Sequence, residues 1–131
     1  MTEYVGARWL KCDFHLHTPA SQCFKDKDVS PEMWVKACLD QQLDCVAVTD
    51  HNTNGWIDAI MKAAKGTPLT VFPGVELTCD TSKVHLLVFF DTDKTGQDIY
   101  DFLIRCGIKH DDFASSDATC QQSCLDIINL A

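Results

Sequence analysis

The sequence lacks long apolar runs, and positive charge is scarce in it. No stretch approaches the roughly 18 apolar residues that a membrane-spanning helix needs, and the first residues hold no apolar segment with a signal-peptide cleavage site. The 11 Lys and Arg residues are outnumbered by 19 Asp and Glu, giving a formal net charge of −8. Because neutralising phosphates requires clustered Lys and Arg, nucleic-acid binding is not indicated by charge. We expect a cytoplasmic protein without membrane contact.

The local charge pattern leaves one place where nucleic acid could still be contacted. Lys25 and Lys27 could form a basic mouth beside a binding site. They stand among Asp26 and Asp28, however, and two solvated lysines are the commoner outcome of such a pattern.

The length and the cysteine content indicate one reduced, globular unit. With 131 residues, 46% of them apolar, the chain can form one hydrophobic core but not two ordinary domains. Its eight cysteines could suggest a disulfide scaffold. A chain with this much apolar sequence does not need such cross-links and shows no secretory signal. We therefore expect thiols that are mostly buried as small apolar side chains.

Apolar runs alternate with amphipathic stretches of helical length, the pattern of βα units around a mainly parallel sheet. Strands are predicted at 10–17, 45–50, 70–77 and 84–90, and helices at 31–41, 55–65, 96–106 and 121–130. Ser30 and Pro31 provide the cap and first position of the first helix. Within the third strand, Pro73 and Gly74 predict an irregular or edge-like backbone.

Polar side chains occupy the carboxyl ends of these strands, where α/β proteins build their sites. Side chains two positions apart on a strand point the same way, so His15 and His17 can chelate one metal ion. Phe14 and Leu16 would then face the covering helices. Asp13 shares the predicted histidine face and could orient an imidazole by accepting a hydrogen bond from it.

Further polar residues follow the other strands. Asp50 and His51 come after the second strand, Glu76 lies near the end of the third, and His85 lies in the fourth. His85 alone would usually be a satisfied core residue. Burying all of these groups together without a cation would leave several polar atoms unpaired, and metal coordination removes that cost.

The order of the motifs resembles the polymerase and histidinol phosphatase (PHP) domain family. The matching stretches are H-L-H-T-P-A-S, T-D-H-N, P-G-V-E-L and V-H-L-L. The resemblance implies a distorted (β/α)7 TIM-like barrel that binds up to three Zn, Mn or Fe ions and hydrolyses phosphoesters. It further implies that His15 and His17 bind the first ion, that Glu76 bridges the first and second, and that His85 and His51 bind the second and third.

Cys23 stands where many family members have another histidine for the third ion. A thiolate there would favour zinc over manganese, although an ordinary loop thiol is an equally open interpretation. The resemblance also implies that Asp50 acts through hydrogen bonds rather than as a ligand, and Thr49 could do the same for the backbone.

Two family motifs have no counterpart in this sequence: an Ala-His-Pro stretch and a final Asp-x-His. We therefore expect residues 1–131 to be the N-terminal portion of a single, truncated PHP domain, and thus a partial barrel. HTPAS-x-C is similar to PHP domains that precede large ATPases. We also expect exposed strand edges to promote homo-oligomers, and incomplete metal occupancy and poor activity in these residues alone.

Three functions stay open at this point. The first is a metal-dependent phosphoesterase that acts on a phosphoester substrate. The second is a non-catalytic or degenerate PHP module that serves structure or partner binding in a larger ATPase or polymerase-like protein. The third is a small structural zinc protein that uses Cys120 and Cys124 with Cys23 or His110.

Overall fold

The computed structural model describes residues 6–80 and 83–131, and it contains the predicted strands and helices in the predicted order. The elements are β1 (Cys12–Leu16), α1 (Pro31–Asp40), β2 (Cys45–Val48), α2 (Ile57–Ala64), β3 (Thr70–Thr78), β4 (His85–Phe89), α3 (Gly96–Arg105) and α4 (Cys124–Leu130). A short 3-10 helix, His110–Asp112, precedes α4 in a stretch predicted as a loop. The predicted fourth helix starts later than expected because Ser123 caps it and accepts the Asp126 N–H.

The four strands form one curled sheet in the order β1-β2-β3-β4. The first three strands are parallel, and β4 is antiparallel to β3. The prediction of a partial TIM-like barrel with a mainly parallel sheet is therefore confirmed. Because β1 and β4 form the edges of the described sheet, self-association through strand edges stays a prediction that light scattering can test.

The hydrophobic core lies between the sheet and its helices. Alternate residues of β2 and β3, including Val46, Val48, Val75 and Leu77, are buried against apolar side chains of the helices. Ile60 of α2 and Phe102 of α3 are both fully buried in this core. Among the described residues, no helix combines the length and apolar character that crossing a membrane requires.

Strand β3 changes partner at Pro73 and Gly74. Its first part, Thr70 to Pro73, pairs with β2, and its second part, Gly74 to Thr78, pairs with β4. A Cβ added to Gly74 would lie 2.6 Å from the Val88 carbonyl oxygen, so only glycine permits this close approach. The predicted irregularity is therefore present, but β3 is an inner strand and not an edge.

Strand β1 contains a bulge that the alternation pattern did not predict. Asp13 pairs with Val46 and Leu16 with Val48, so two residues of β1 oppose one residue of β2. The prediction that Phe14 faces the helices is wrong. Its ring stacks on that of Phe89, with centroids 5.2 Å apart, on the face of the sheet away from the helices. Leu16 does pack against the core, as predicted.

The bulge also explains the position of Asp13, which was predicted to share the histidine face. Its carboxylate accepts the backbone N–H of His15 at 3.1 Å. The side chain lines a cavity of about 290 Å³ together with Trp34 and Cys38 of α1. Asp13 therefore fixes the backbone of the bulge, and these contacts differ from the imidazole contact that the sequence suggested.

Candidate metal centre

Four chain segments bring ligand-type side chains to one rim of the sheet. His15 and His17 come from the end of β1, Glu76 from β3 and His85 from β4. His51 reaches the rim because the chain pairs again with β3 after β2 has ended. Glu76 N–H donates to the Asp50 carbonyl at 3.0 Å, and Asn52 N–H donates to the Glu76 carbonyl at 3.2 Å.

The Glu76 carboxylate is the centre of this group. The side chain is only 5% exposed, yet all four imidazoles approach it. Its Oε2 atom lies 3.0 Å from His15 Nε2, 3.1 Å from His17 Nε2 and 3.5 Å from His51 Nε2. Its Oε1 atom lies 2.7 Å from His85 Nδ1. The structure thus brings together all five of these predicted ligands.

Ion pairs and hydrogen bonds with Glu76 do not by themselves account for all four imidazole contacts. Three ring nitrogens approach one carboxylate oxygen, which is more than its lone pairs normally accept. If all four imidazoles were protonated, four positive charges would face one negative charge. The His17 and His51 rings also stack with centroids 4.7 Å apart, which disfavours charge on both. Neutral imidazoles directed at a shared cation fit this geometry.

The pKa shifts in the cluster agree with that assignment. Burial lowers the pKa of His51, which favours the neutral imidazole that metal ions require, although Glu76 partly opposes the shift. Burial by itself would raise the pKa of Glu76. Hydrogen bonds with His85 and His15 outweigh this effect and keep its pKa below the usual value.

Asp50 accepts three short hydrogen bonds from the loop that follows His17. It is 1% exposed and accepts the N–H of Thr18 at 2.6 Å, the Thr18 hydroxyl at 2.6 Å and the Ser21 hydroxyl at 2.7 Å. Burial raises the pKa of Asp50, although the Thr18 and Ser21 hydrogen bonds oppose the shift. These contacts fold the loop after β1 back onto the loop after β2.

Ser21 connects Asp50 to two of the histidines. Its Oγ accepts the His51 backbone N–H at 3.0 Å and lies 3.2 Å from His17 Nδ1. Because the hydroxyl donates its hydrogen bond to Asp50, its oxygen can accept a hydrogen bond from His17 Nδ1–H. The His17 Nε2 lone pair then faces Glu76, ready to bind a cation.

Sequence reasoning did not identify Ser21 and Thr18 as contributors to the centre. The available signal was the spacing in HTPAS, which places two hydroxyl side chains one and four residues after His17. Thr49, in contrast, acts on the backbone as expected, because its N–H and its hydroxyl both donate to the Leu16 carbonyl.

Cys23 lies beside the same cluster. Its Sγ forms a group with nitrogens of His17 and His51 in which all ligand atoms lie within 4.8 Å of one another. Two further groups meet this criterion, namely His15, His17 and Glu76, and His51, Glu76 and His85. Since the groups share residues, they form one continuous centre.

Of the two lysines that could form a basic patch, Lys27 instead stabilises a nearby loop. Lys27 Nζ donates to the carbonyls of Pro19 and Ser21, at 3.0 and 2.6 Å, and so closes the loop that carries Ser21 and Cys23. Lys25 is exposed.

The ligands of the alternative structural zinc site are not assembled. Cys124 Sγ lies 2.7 Å from Cys79 Sγ, and His110 stacks on Phe113 with ring centroids 5.4 Å apart. Cys23 belongs instead to the group with His17 and His51. The chain therefore does not place Cys23 or His110 where that hypothesis requires them.

Comparison with known proteins identifies the family behind this arrangement. A sequence model of the PHP domain matches residues 13–123, a range that contains every residue of the centre. The chain belongs to the PHP domain family. No curated protein matches this PHP chain in a sequence search.

Solved structures share the PHP chain's fold. One is a protein assigned as a metal-dependent phosphoesterase from Bifidobacterium adolescentis, at 27% identity and a TM-score of 0.53, covering 74% of this chain and 33% of its own length. A second is a two-domain protein from Bacteroides vulgatus that contains a predicted PHP-like metal-dependent phosphoesterase, at 22% identity and a TM-score of 0.54, with 86% and 38% covered.

A third is an amidohydrolase from Chromobacterium violaceum with bound sulfate and no metal, at 19% identity and a TM-score of 0.52, covering 73% of this chain and 32% of its own. At these identities the second and third comparisons show the fold alone. The PHP chain spans about a third of the length of the structures it matches.

Proposed function

We propose that this PHP chain provides the metal-binding part of a phosphoesterase. The observation that carries the proposal is the convergence of four imidazoles on the buried Glu76 carboxylate. Membership of the PHP family and the likeness to structures described as metal-dependent phosphoesterases support it. The formal charge of −8 would repel a phosphoester, so cations at the rim are needed to attract one.

The proposed ligands fit up to three ions of Zn, Mn or Fe. His15, His17 and Glu76 would hold one ion, Glu76 and His85 a second, and His51 with Cys23 a third. Divalent cations at such a site lower the pKa of water towards neutrality and neutralise charge on phosphate oxygens.

The chain's own residues would position these ligands. Glu76, with two carboxylate oxygens, can serve two ions at once. Asp50 and Ser21 keep the His17 proton on Nδ1 and hold the backbone of His51 in place. Asp50 therefore acts as a positioning residue, and we assign the nucleophile to water rather than to a side chain.

The proposal predicts metal-dependent hydrolysis of simple phosphoesters. The purified chain would be stripped with a chelator, reloaded with Zn²⁺ or Mn²⁺, and assayed with p-nitrophenyl phosphate and bis-p-nitrophenyl phosphate. We expect hydrolysis that rises with metal and disappears on chelation. Because we expect poor activity from these residues alone, the same assay would be run on the complete gene product. Metal binding without turnover of either compound there would contradict catalysis and favour the second function below.

The second function is a PHP module without catalysis, which serves structure or partner binding in a larger ATPase or polymerase-like protein. The side chains of His15 and His85 are 52% and 51% exposed, so two proposed ligands are open to water. Such exposed ligands favour partial occupancy and weak catalysis by these residues.

Cys23 provides a direct test of the third ion site. We expect Co²⁺ bound to the chain to show a near-ultraviolet sulfur-to-cobalt charge-transfer band, because thiolates bind such ions directly. The band should vanish in Cys23→Ser and persist in Cys12→Ser, which also removes an exposed thiol. A spectrum unchanged by Cys23→Ser would show that Cys23 is an ordinary loop thiol.

A further inference from the structure

A second group of reactive side chains lies away from the proposed ligands. Cys79 directly follows β3 and is fully buried, whereas Cys124 is the first residue of α4 and is partly exposed. Their Sγ atoms are 2.7 Å apart although 45 positions separate them in the chain. Neither residue belongs to the groups that could hold a metal ion around Glu76.

Backbone hydrogen bonds hold the two thiols together. Cys120 N–H donates to the Thr78 carbonyl at 2.9 Å, and Asp80 N–H donates to the Gln122 carbonyl at 3.2 Å. The segment before α4 is thereby aligned with the residues that follow β3. Cys120 itself is engaged elsewhere, because its Sγ donates to the Gln122 carbonyl at 3.3 Å. The contact between Cys79 and Cys124 thus results from the fold and not from a chance rotamer.

We propose that Cys79 and Cys124 form a reversible disulfide when the protein meets a peroxide. The separation of 2.7 Å requires only a small movement to reach the bonded distance of about 2.0 Å. The inference does not rest on the proposed function, because neither thiol is a proposed ligand.

The reaction balances with hydrogen peroxide as the oxidant. The partly exposed Cys124 sulfur attacks the peroxide, the O–O bond breaks, and one water and the sulfenic acid of Cys124 are formed. The Cys79 sulfur then attacks the Cys124 sulfur, and the second oxygen leaves as water. Two thiols have lost two electrons and two protons. Burial and the contact with Cys124 raise the pKa of Cys79 to about 12, so Cys79 is not the thiol that reacts with peroxide first. Its role in the second step follows from its position 2.7 Å from the Cys124 sulfur.

The bond would tie down a segment that supports the metal centre. Between Cys79 and Cys124 in the sequence lies Ala114, whose N–H donates to the Asn52 carbonyl at 3.4 Å and whose carbonyl accepts the Gln22 N–H at 3.1 Å. Asn52 also donates from Nδ2 to the Ser115 carbonyl at 2.8 Å. Asn52 and Gln22 are direct neighbours of His51 and Cys23. Oxidation would therefore stiffen the loops that carry two proposed ligands.

The test is peptide mapping and thermal unfolding of the metal-free chain before and after treatment with equimolar hydrogen peroxide. We expect a peptide pair cross-linked through Cys79 and Cys124, and a rise in Tm of about 10 °C that a dithiol reductant reverses. Cys124→Ser should lose both the cross-link and the rise. Mapping of the unsubstituted chain does not depend on how well that variant folds.

A second close pair supplies the control. Cys12 and Cys45 are partners across the parallel strands β1 and β2, and Cys12 is exposed. Cys12→Ser should leave the cross-link and the rise in Tm unchanged. Oxidation that links other cysteines, or a Cys79–Cys124 cross-link that leaves Tm where it was, would overturn the proposal.

Discussion

Replacing Glu76 with glutamine is expected to lower the affinity of the chain for Zn²⁺ by more than about 100-fold. The amide keeps the size of the side chain but removes the negative charge that faces four imidazoles. An amide oxygen is also a weaker ligand and cannot bridge two ions as a carboxylate does. Isothermal titration with Zn²⁺ measures the change, and phosphoester hydrolysis should fall with it.

Glu32→Gln is the matched control for this result. Glu32 is exposed in the first turn of α1 and lies outside the groups that could hold an ion. The substitution makes the same chemical change but away from the candidate ligands. The zinc affinity of this variant should therefore stay within about twofold of that of the unsubstituted chain. Equal affinities for the Glu76 and Glu32 variants would mean that zinc binds elsewhere.

Replacing Asp50 with asparagine is expected to reduce the free energy of unfolding by about 2–4 kcal/mol in the absence of metal. Asp50 is buried and accepts three hydrogen bonds, two from Thr18 and one from Ser21. The amide presents an NH₂ donor in place of one acceptor oxygen, so at least one buried donor loses its partner. Urea denaturation of the chelated protein measures the loss.

The exposed Asp93 gives the matched control for Asp50. Asp93→Asn should change the free energy of unfolding by less than about 0.5 kcal/mol, as surface substitutions usually do. The Asp50 variant should also bind zinc more weakly, because Ser21 would no longer be held against His17. If the Asp50→Asn protein were as stable as the Asp93→Asn protein, the hydrogen bonds from Thr18 and Ser21 would contribute little to the free energy of unfolding.

The sequence predicted the ligand cluster because the rule behind it is geometric. The carboxyl ends of neighbouring parallel strands meet at one rim, so His17 and His51 had to be near each other once the strands were recognised. Glu76 followed from the same reasoning, whereas the ligand role of His85 was predicted from the family resemblance. His85 reaches the same rim because it is the first residue of β4, which runs antiparallel to β3. The interpretation of His85 as an ordinary core residue does not hold. Its side chain is half exposed, and its Nδ1 atom lies 2.7 Å from Glu76 Oε1.

The details that sequence reasoning missed depend on single hydrogen bonds and on contacts between distant residues. The bulge in β1 moved Phe14 and Asp13 away from their predicted faces, and strict alternation cannot predict a bulge. The role of Ser21 depends on a loop that returns to Asp50. The contact of Cys79 with Cys124 joins residues 45 positions apart, and no local pattern signals it.

Anomalous diffraction from crystals of the chain grown with Zn²⁺ would test the central claim most directly. The account predicts zinc peaks within about 2.0–2.3 Å of ligand atoms of Glu76 and of at least two of the histidines around it. Crystals in which the four imidazoles keep their contacts with Glu76, with no zinc peak at this rim, would contradict it.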